Sequence, residues 1–527
     1  MSLPAKTVPS PRALANSPRP NVLFITVDQW RGDMGPGQKA AVPTPHLDAL
    51  CNNATCFTRH YTQAYPCGPA RAGLLTGLYP HKHRVIQNGS PLDAQYRTLA
   101  QAARHSGYRP VLFGYTDTQA DPRTLEPTDP AWADEEGIAP GFDVQCLLTA
   151  RAQPWIADLI KKGYPIANPK AGRDGIYQMA PFGTSTCIKA EDSETAFLTA
   201  QVLDHLSANT QQPFFIHLSY IAPHPPFAAA KEWLAKVSVP DANKRENRPS
   251  HSEAIRHPLI AFHHRTQNLS SFAPNISGPV HTASEQTQTA IRHAYGALMA
   301  EVDHHIGQLV ARLKTLDLWE NTIIVISGDH GEQMFDHDLL GKVGWHDAAA
   351  HVPLIMRVPG TKPGQSIDHF TQSIDLFPTL VQLLRLEPDV NLDGKSLVPF
   401  LNGLPPSDWR DCVFWSHDFR NLANLKAEQH FGLPSRLCNF HVVRTKTFKY
   451  VHFPTLPPVV HDLSNDPGEH LNIAESDKGL ALRYEGLERL FNMRISYENE
   501  MLSCLQAQND HLHGNRQCWE FHTFPQD

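Results

Sequence analysis

No stretch of the 527-residue chain strings together the roughly 18 apolar residues that crossing a bilayer by a helix demands, so no membrane span is expected. The first twenty residues are rich in Pro, Ser and Ala and lack the apolar core of a secretory leader. A strong excess of one charge is missing too. Lys and Arg number 46 against 53 Asp and Glu, and the formal net charge of -7 leaves no nucleic-acid footprint. The nine cysteines, at positions 51, 56, 67, 146, 187, 412, 438, 504 and 518, form no Cys-x-x-Cys pair, and their odd number argues against a complete disulfide framework. We find no internal repeat. These absences lead us to expect a reduced, cytoplasmic protein with neither membrane nor nucleic-acid partner.

What is present is ordinary for a globular enzyme: 41% hydrophobic and 19% charged residues, in a chain long enough for one large domain and a smaller one. Thirty histidines mean that no histidine counts as catalytic without context, and 44 prolines suggest ordered connections rather than disorder. The run Asn21-Val-Leu-Phe-Ile-Thr-Val-Asp28 reads as a strand buried on both faces, and similar runs recur at 110–114, 213–219, 322–327 and 352–358. Helical patterns lie between them, at 97–106 and 287–316. Strands alternating with helices predict an α/β domain around a large, mainly parallel sheet flanked by helices, with ligands at the carboxyl ends of its strands. We divide the chain into a tail (1–20), an α/β domain (21–405), a small α+β domain with an antiparallel sheet (406–475) and a C-terminal extension (476–527), helical at first and suited to oligomerisation. A polar insertion at about 228–290 belongs near the site mouth or a subunit contact.

Three segments carry chemistry. The first is Cys67-Gly-Pro-Ala-Arg71-Ala-Gly-Leu-Leu-Thr76-Gly77. Pro69 suits a first helical turn and Gly77 a helix end, which places Cys67 at a helix N-terminus, where anions are favoured. A lone cysteine there reads equally well as a buried or merely reactive thiol. The second is Asp28-Gln29, directly after a predicted strand, where an aspartate is often only a turn former. The third is Ser327-Gly-Asp329-His330-Gly331, again after a predicted strand. Both carboxylates should emerge at one sheet edge, where they can converge on a metal. Carboxylate oxygens suit Ca²⁺, Mg²⁺ or Mn²⁺, and an imidazole tilts the choice toward a transition metal.

Cys-x-Pro-x-Arg followed by Thr-Gly is the sulfatase signature, and the chain resembles the sulfatase family of the alkaline phosphatase superfamily from about residue 20 to about 475. The resemblance implies that Cys67 is oxidised to formylglycine by a formylglycine-generating enzyme. It also implies that the modified Cys67, Asp28, Asp329 and His330 hold one divalent ion. Many arylsulfatases carry Asp-Asp and Asp-Asn where this chain has Asp28-Gln29 and Asp329-His330. That departure is similar to the branch containing phosphonate monoester hydrolases, where Mn²⁺ is commoner than Ca²⁺. By the same resemblance Arg71, His224 and Lys342 are catalytic, and Gln29, Asn88 and Tyr115 bind substrate. Read without the family, His224 is a turn histidine between prolines and Asn88 part of a Gln-Asn-Gly turn.

The implied reaction is hydrolysis of a sulfate monoester, a small anionic substrate. The formylglycine hydrate attacks sulfur, a hemiacetal sulfate forms, and loss of a proton from the second hydroxyl expels sulfate. Arg71 is expected to orient the diol, Lys342 and His224 to bind the anion, and His224 to protonate the leaving oxygen. Two alternatives stay open: a phosphonate monoester or phosphodiester hydrolase using the same site, and a non-catalytic anion-binding protein with an unconverted Cys67. A homodimer or homotetramer is expected. Asp303-His-His305 is read as the polar face of a helix, His263-His264 as a solvated patch, and 462–469 as a structural turn.

Overall fold

The computed structural model describes residues 19–36, 42–133, 136–208, 213–238, 257–386 and 392–498, together with the backbone of a hairpin pairing Leu505–Gln508 with His511–Gly514. The tail before residue 19, the centre of the insertion (239–256) and most of the extension beyond 498 lie outside the described residues. The strands are β1 (Asn21–Val27), β2 (Thr55–Tyr61), β3 (Ala64–Tyr65), β4 (Pro110–Gly114), β5 (Asp143–Leu147), β6 (Phe215–Tyr220), β7 (Thr322–Gly328), β8 (His351–Arg357), β9 (Gln365–Ile367), β10 (Thr371–Gln372), β11 (Cys412–Asp418), β12 (Asn439–Thr445), β13 (Lys449–His452) and β14 (Val459–His461).

Nine strands form one sheet in the order β10-β2-β8-β7-β1-β6-β4-β5, with β9 also paired to β2. The expected apolar runs occupy its centre. Every residue of β1 and β7 is buried, because each face of this sheet carries its own core. Leu23, Ile25, Val27, Ile324 and Ile326 point into one core, which also holds Ile291, Tyr295, Met299 and Val302 of the long helix Glu285–Thr315. Val22, Phe24, Ile323 and Val325 point into the other, with Leu74 and Leu75 of the helix Cys67–Thr76 and Leu376, Phe377 and Leu380 of the helix Leu376–Leu384. Each such side chain withdrawn from water contributes about 1.5–3 kcal/mol, so the period-two split fixes the register of the central strands.

The sheet is mixed. β1 runs parallel to β6 and β7, and β4 parallel to β5 and β6, but β8 runs antiparallel to both β7 and β2. No crossover returns the chain after β7. The connection 329–350 stays at the carboxyl edge, and β8 therefore descends beside the strand it follows. A second sheet, β14-β13-β12-β11-β3, matches the antiparallel segments expected near 440–453. Its last member, β3, is parallel to β11 and lies two residues before Cys67. The helix Asp477–Ser496 covers this sheet, with Leu490 and Met493 against Tyr450.

Three expectations are corrected. Cys51 and Cys56 are joined in a disulfide, which removes the fully reduced cysteine set on which a cytoplasmic location rested. His263 is buried, not solvated. Burial and the nearby His417 push its pKa down to about 3, and its helix Pro258–Thr266 packs Leu259 and Ile260 against Trp345 and the second sheet. Asp303 is buried as well. Its carboxylate accepts the backbone N–H groups of His46 (3.2 Å) and Leu47 (2.8 Å), capping the helix Pro45–Cys51 from a neighbouring element. Among the described residues, no helix is long and apolar enough to cross a membrane.

Candidate functional site

The parallel register aligns Val27 of β1 with Gly328 of β7, so the residues that follow them, Asp28 and Asp329, leave the sheet side by side. Their positions are locked from both sides. Asp329 Oδ1 accepts the backbone N–H of Gln29 (3.0 Å) and of His330 (2.9 Å). Gln29 takes a left-handed φ of 67°, which turns its side chain away from the strand path. Gly331 is needed as glycine, because a Cβ there would meet the Ala348 carbonyl oxygen at 2.0 Å.

Cys67 begins the helix Cys67–Thr76, which Gly77 closes at φ 70°, as the motif predicts. Its Sγ lies 3.2 Å from His330 Nε2, 3.9 Å from Asp28 Oδ1 and 3.1 Å from Lys342 Nζ. His330 Nε2 is 3.6 Å from Asp28 Oδ1 and 3.8 Å from Asp329 Oδ1. One donor atom from each of Asp28, Cys67, Asp329 and His330 falls within 4.8 Å of the others, all four residues being buried. Two carboxylates, an imidazole and one more donor are a set that fits a divalent ion.

The surrounding charges prepare that set. Burial works against ionised Asp28, but His224, Lys342 and Arg71 outweigh it and hold its pKa well below the usual carboxylate range. Burial lowers the pKa of His330, assisted by Lys342, so its imidazole is neutral and able to ligate. The Cys67 thiol is pushed far up by burial and by Asp28, with Lys342 opposing. An unmodified thiol here is held protonated, a poor nucleophile in its own right.

Each of the other expected residues has a defined position. Arg71 lies close enough to Cys67 to act on it electrostatically, and its hydrogen bonds go to the carboxylates around it. Its guanidinium donates to Asp329 Oδ2 (2.8 Å), Asp28 Oδ2 (3.2 Å), Ser219 Oγ (2.7 Å) and the Tyr115 carbonyl (3.0 Å), and stacks over the Tyr115 ring. One turn into the helix, the fork meets the two carboxylates before it meets Cys67. These bonds hold Asp28 and Asp329 in place. Tyr115 also bonds inward, its hydroxyl donating to Asp28 Oδ2. Asn88 Oδ1 accepts the N–H of Gly68 (2.9 Å) and so secures the first turn of the Cys67 helix. Lys342 donates to Gln29 Oε1 as well as to sulfur, and Gln29 in turn donates to Glu332. His224 Nδ1 donates to the Pro225 carbonyl (2.8 Å), leaving Nε2 with its lone pair. Burial and Lys342 bring its pKa down to about 3.

A sulfatase family model matches residues 20–386, and a model of the N-sulphoglucosamine sulphohydrolase C-terminal region matches 331–496. The chain belongs to the sulfatase family. It is 35% identical over 502 residues to the multifunctional alkaline phosphatase superfamily protein PehA of Trinickia caryophylli, covering 92% of this chain and 97% of that one. Human arylsulfatase K is 27% identical over 476 residues, 86% of this chain and 79% of the relative. Among solved structures, the phosphonate monoester hydrolase of Agrobacterium radiobacter superposes with a TM-score of 0.89 at 39% identity, covering 94% of this chain and all of the other. Sulfatases generally use a metal ion and a formylglycine on small anionic esters, and the donor set described above fits that use.

Two residues hydrogen-bonded to this cluster escaped the motif reading. Glu332, two residues past His330, receives Gln29 and the backbone N–H of Met334 (2.9 Å), so it braces the loop that delivers Lys342. Ser219 lies near the carboxyl end of β6, beside β1, and receives Arg71. A systematic scan of polar residues at the carboxyl ends of central strands would have flagged Ser219. Glu332 had only its closeness to His330 as a signal.

Proposed function

We propose that this protein hydrolyses monoanionic phosphonate monoesters and phosphodiesters, with sulfate monoesters as a second substrate class, and that Cys67 matures to formylglycine. The observation that carries the reading is the pairing of Asp28-Gln29 with Asp329-His330 around Cys67, with Lys342 bridging Gln29 and the sulfur. The Agrobacterium phosphonate monoester hydrolase structure supports the phosphorus esters, while the family model and the arylsulfatase K match support sulfate. All three ester types present one compact monoanion with one leaving oxygen.

When present, a divalent ion on Asp28, Asp329, His330 and position 67 supplies positive charge against the ester oxygens, and the formylglycine hydrate supplies the nucleophilic hydroxyl. Mn²⁺ is favoured over Ca²⁺ and Mg²⁺ by the imidazole donor. The chain's own groups do the rest. Arg71 and Tyr115 fix the carboxylates, and Gln29 and Glu332 aim Lys342 at the anion. His224 offers Nε2 beside it. An arriving anion raises the proton affinity of that nitrogen, so His224 takes up a proton as the ester binds and returns it to the leaving oxygen. A formylglycine-generating enzyme as partner belongs to the same proposal. So does a homodimer or homotetramer, supported by an exposed apolar stripe of Leu480, Tyr484, Leu487, Phe491 and Ile495 along the helix Asp477–Ser496.

The deciding experiment compares kcat/KM for 4-nitrophenyl phenylphosphonate and 4-nitrophenyl sulfate, alongside mass spectrometry of the peptide containing residue 67. A higher value for the phosphonate together with the thiol-to-aldehyde mass loss is expected. A higher value for the sulfate reverses the order of substrates. A peptide carrying only thiol defeats the nucleophile assignment.

A further inference from the structure

We propose that Asp117 is a specificity-determining residue that accepts a hydrogen bond from a hydroxyl or ammonium group on the organic part of the ester. This rests on the reading of the site as an ester hydrolase and adds the substrate class that such a site selects. β4 ends at Gly114, at the same carboxyl edge as β1 and β6, and Asp117 follows three residues later. Its backbone is left-handed, with φ 49°. The residue is only 3% exposed, yet neither Oδ1 nor Oδ2 has a hydrogen-bond partner. A buried carboxylate without a donor is costly and persists in native structures mainly where a ligand or ion completes it.

The donors nearby are directed elsewhere. Arg71 and Lys342 lie close enough to act on Asp117 electrostatically, as do Asp28 and Glu136. The hydrogen bonds of Arg71 go to Asp28, Asp329, Ser219 and the Tyr115 carbonyl, and those of Lys342 to Gln29 and Cys67. Its burial turns it away from solvent, and it follows the carboxyl end of β4, the sheet edge at which Asp28 also emerges. The ester's own anionic oxygens can only accept and repel a carboxylate. For the ionised carboxylate the partner then comes from the remainder of the substrate, which points to amino- or hydroxy-substituted esters over plain alkyl or aryl ones.

The test is calorimetric binding of 2-aminoethylphosphonate and ethylphosphonate to the full-length, Mn²⁺-loaded protein. The two ligands differ only in the ammonium. The wild type should prefer the amino ligand by about tenfold to a hundredfold, the effect of a hydrogen bond between charged groups. Asp117→Leu should remove that preference. Asp117→Asn, nearly the same shape and uncharged, should remove most of it without relying on the bulkier variant to fold. Equal affinities in the wild type, or a preference retained in Asp117→Asn, overturn the proposal. Turnover of 4-nitrophenyl phenylphosphonate and 4-nitrophenyl sulfate is a separate readout. A wild type that hydrolyses neither ester, yet shows the preference and loses it in the variants, defeats the hydrolase reading and leaves donor recognition standing.

Discussion

Two largely buried ionic clusters lie along the connection from β7 to β8, and they are built to opposite ends. In the first, at Asp347, Lys449 Nζ sits 2.7 Å from Asp347 Oδ1 and also pairs with Glu469, while Arg444 meets Asp347 Oδ2 at 3.1 Å. Every charge has an opposite charge as its direct neighbour, and Tyr61 and the Trp345 carbonyl take up remaining bonds. Burial opposes the ionisation of Asp347, yet Arg444 and Lys449 hold its pKa far below the ordinary range. In the second, around Cys67, Arg71 pairs with both aspartates, but Lys342 is bonded to sulfur and an amide instead of a carboxylate. One oxygen of each aspartate is turned toward His330 and Cys67. The first cluster is closed and joins the two sheets. The second is arranged for an incoming ion and anion. Buried charge by itself therefore does not mark a reaction site; how its cations are engaged does.

The strongest way to sharpen this contrast is Cys67→Ala. It should lower kcat for 4-nitrophenyl phenylphosphonate by on the order of 10⁴-fold or more, because no other group can supply the nucleophile, while the melting temperature stays close to that of the wild type. Lys449→Met should do the reverse. Buried Glu469 would lose its cation and Asp347 would keep only Arg444, costing about 3 kcal/mol in denaturant unfolding, with kcat changed little in the protein that remains folded. If Lys449→Met instead abolished turnover at unchanged stability, the distinction between closed and open clusters would fail.

His224→Ala tests the open cluster from the substrate side. The loss of kcat should be about a hundredfold for esters with poor leaving groups and slight for 4-nitrophenyl esters, whose oxygen departs without a proton. A Brønsted plot across substituted phenyl esters reads this directly, as a steeper dependence on leaving-group pKa in the variant. An equal loss for every ester would remove the proton-donor role and leave only anion binding.

Much of the fold was legible because its central strands are unusual in composition. Val22 to Val27 and Ile323 to Ile326 are apolar on both faces, and only a strand covered on both sides satisfies that pattern. The helix Cys67–Thr76 was legible for local reasons, with proline in its first turn and glycine at its left-handed end. The meeting of Asp28 and Asp329 followed from their both trailing apolar runs. What was not legible depended on tertiary partners. Nothing around Arg71 tells that its fork will find Asp28 and Asp329 rather than position 67. Asp117, in Tyr115-Thr-Asp117, looks like a turn former until its burial is known. The reversal of β8 depended on the path of 329–350, and the burial of His263 on a helix meeting the second sheet, both decided by packing far from the residues themselves.

The smallest effect probes how firmly the open cluster is held. Asn88 Oδ1 receives the Gly68 N–H at the start of the Cys67 helix, and Gly68 is pressed so closely that a Cβ there would lie 3.2 Å from the Asn88 Cα. Asn88→Ala removes one N-terminal hydrogen bond, a loss of about 1 kcal/mol by analogy with helix caps. The closed cluster should not notice it, since the lost bond belongs to the Cys67 helix. The open one should, because the released turn carries position 67. A fall in kcat of several-fold with little change in KM is therefore expected, readable by steady-state kinetics on 4-nitrophenyl phenylphosphonate. A rise in KM alone would show instead that Asn88 acts on the bound ester through its amide, and that the first turn of the helix is rigid without it.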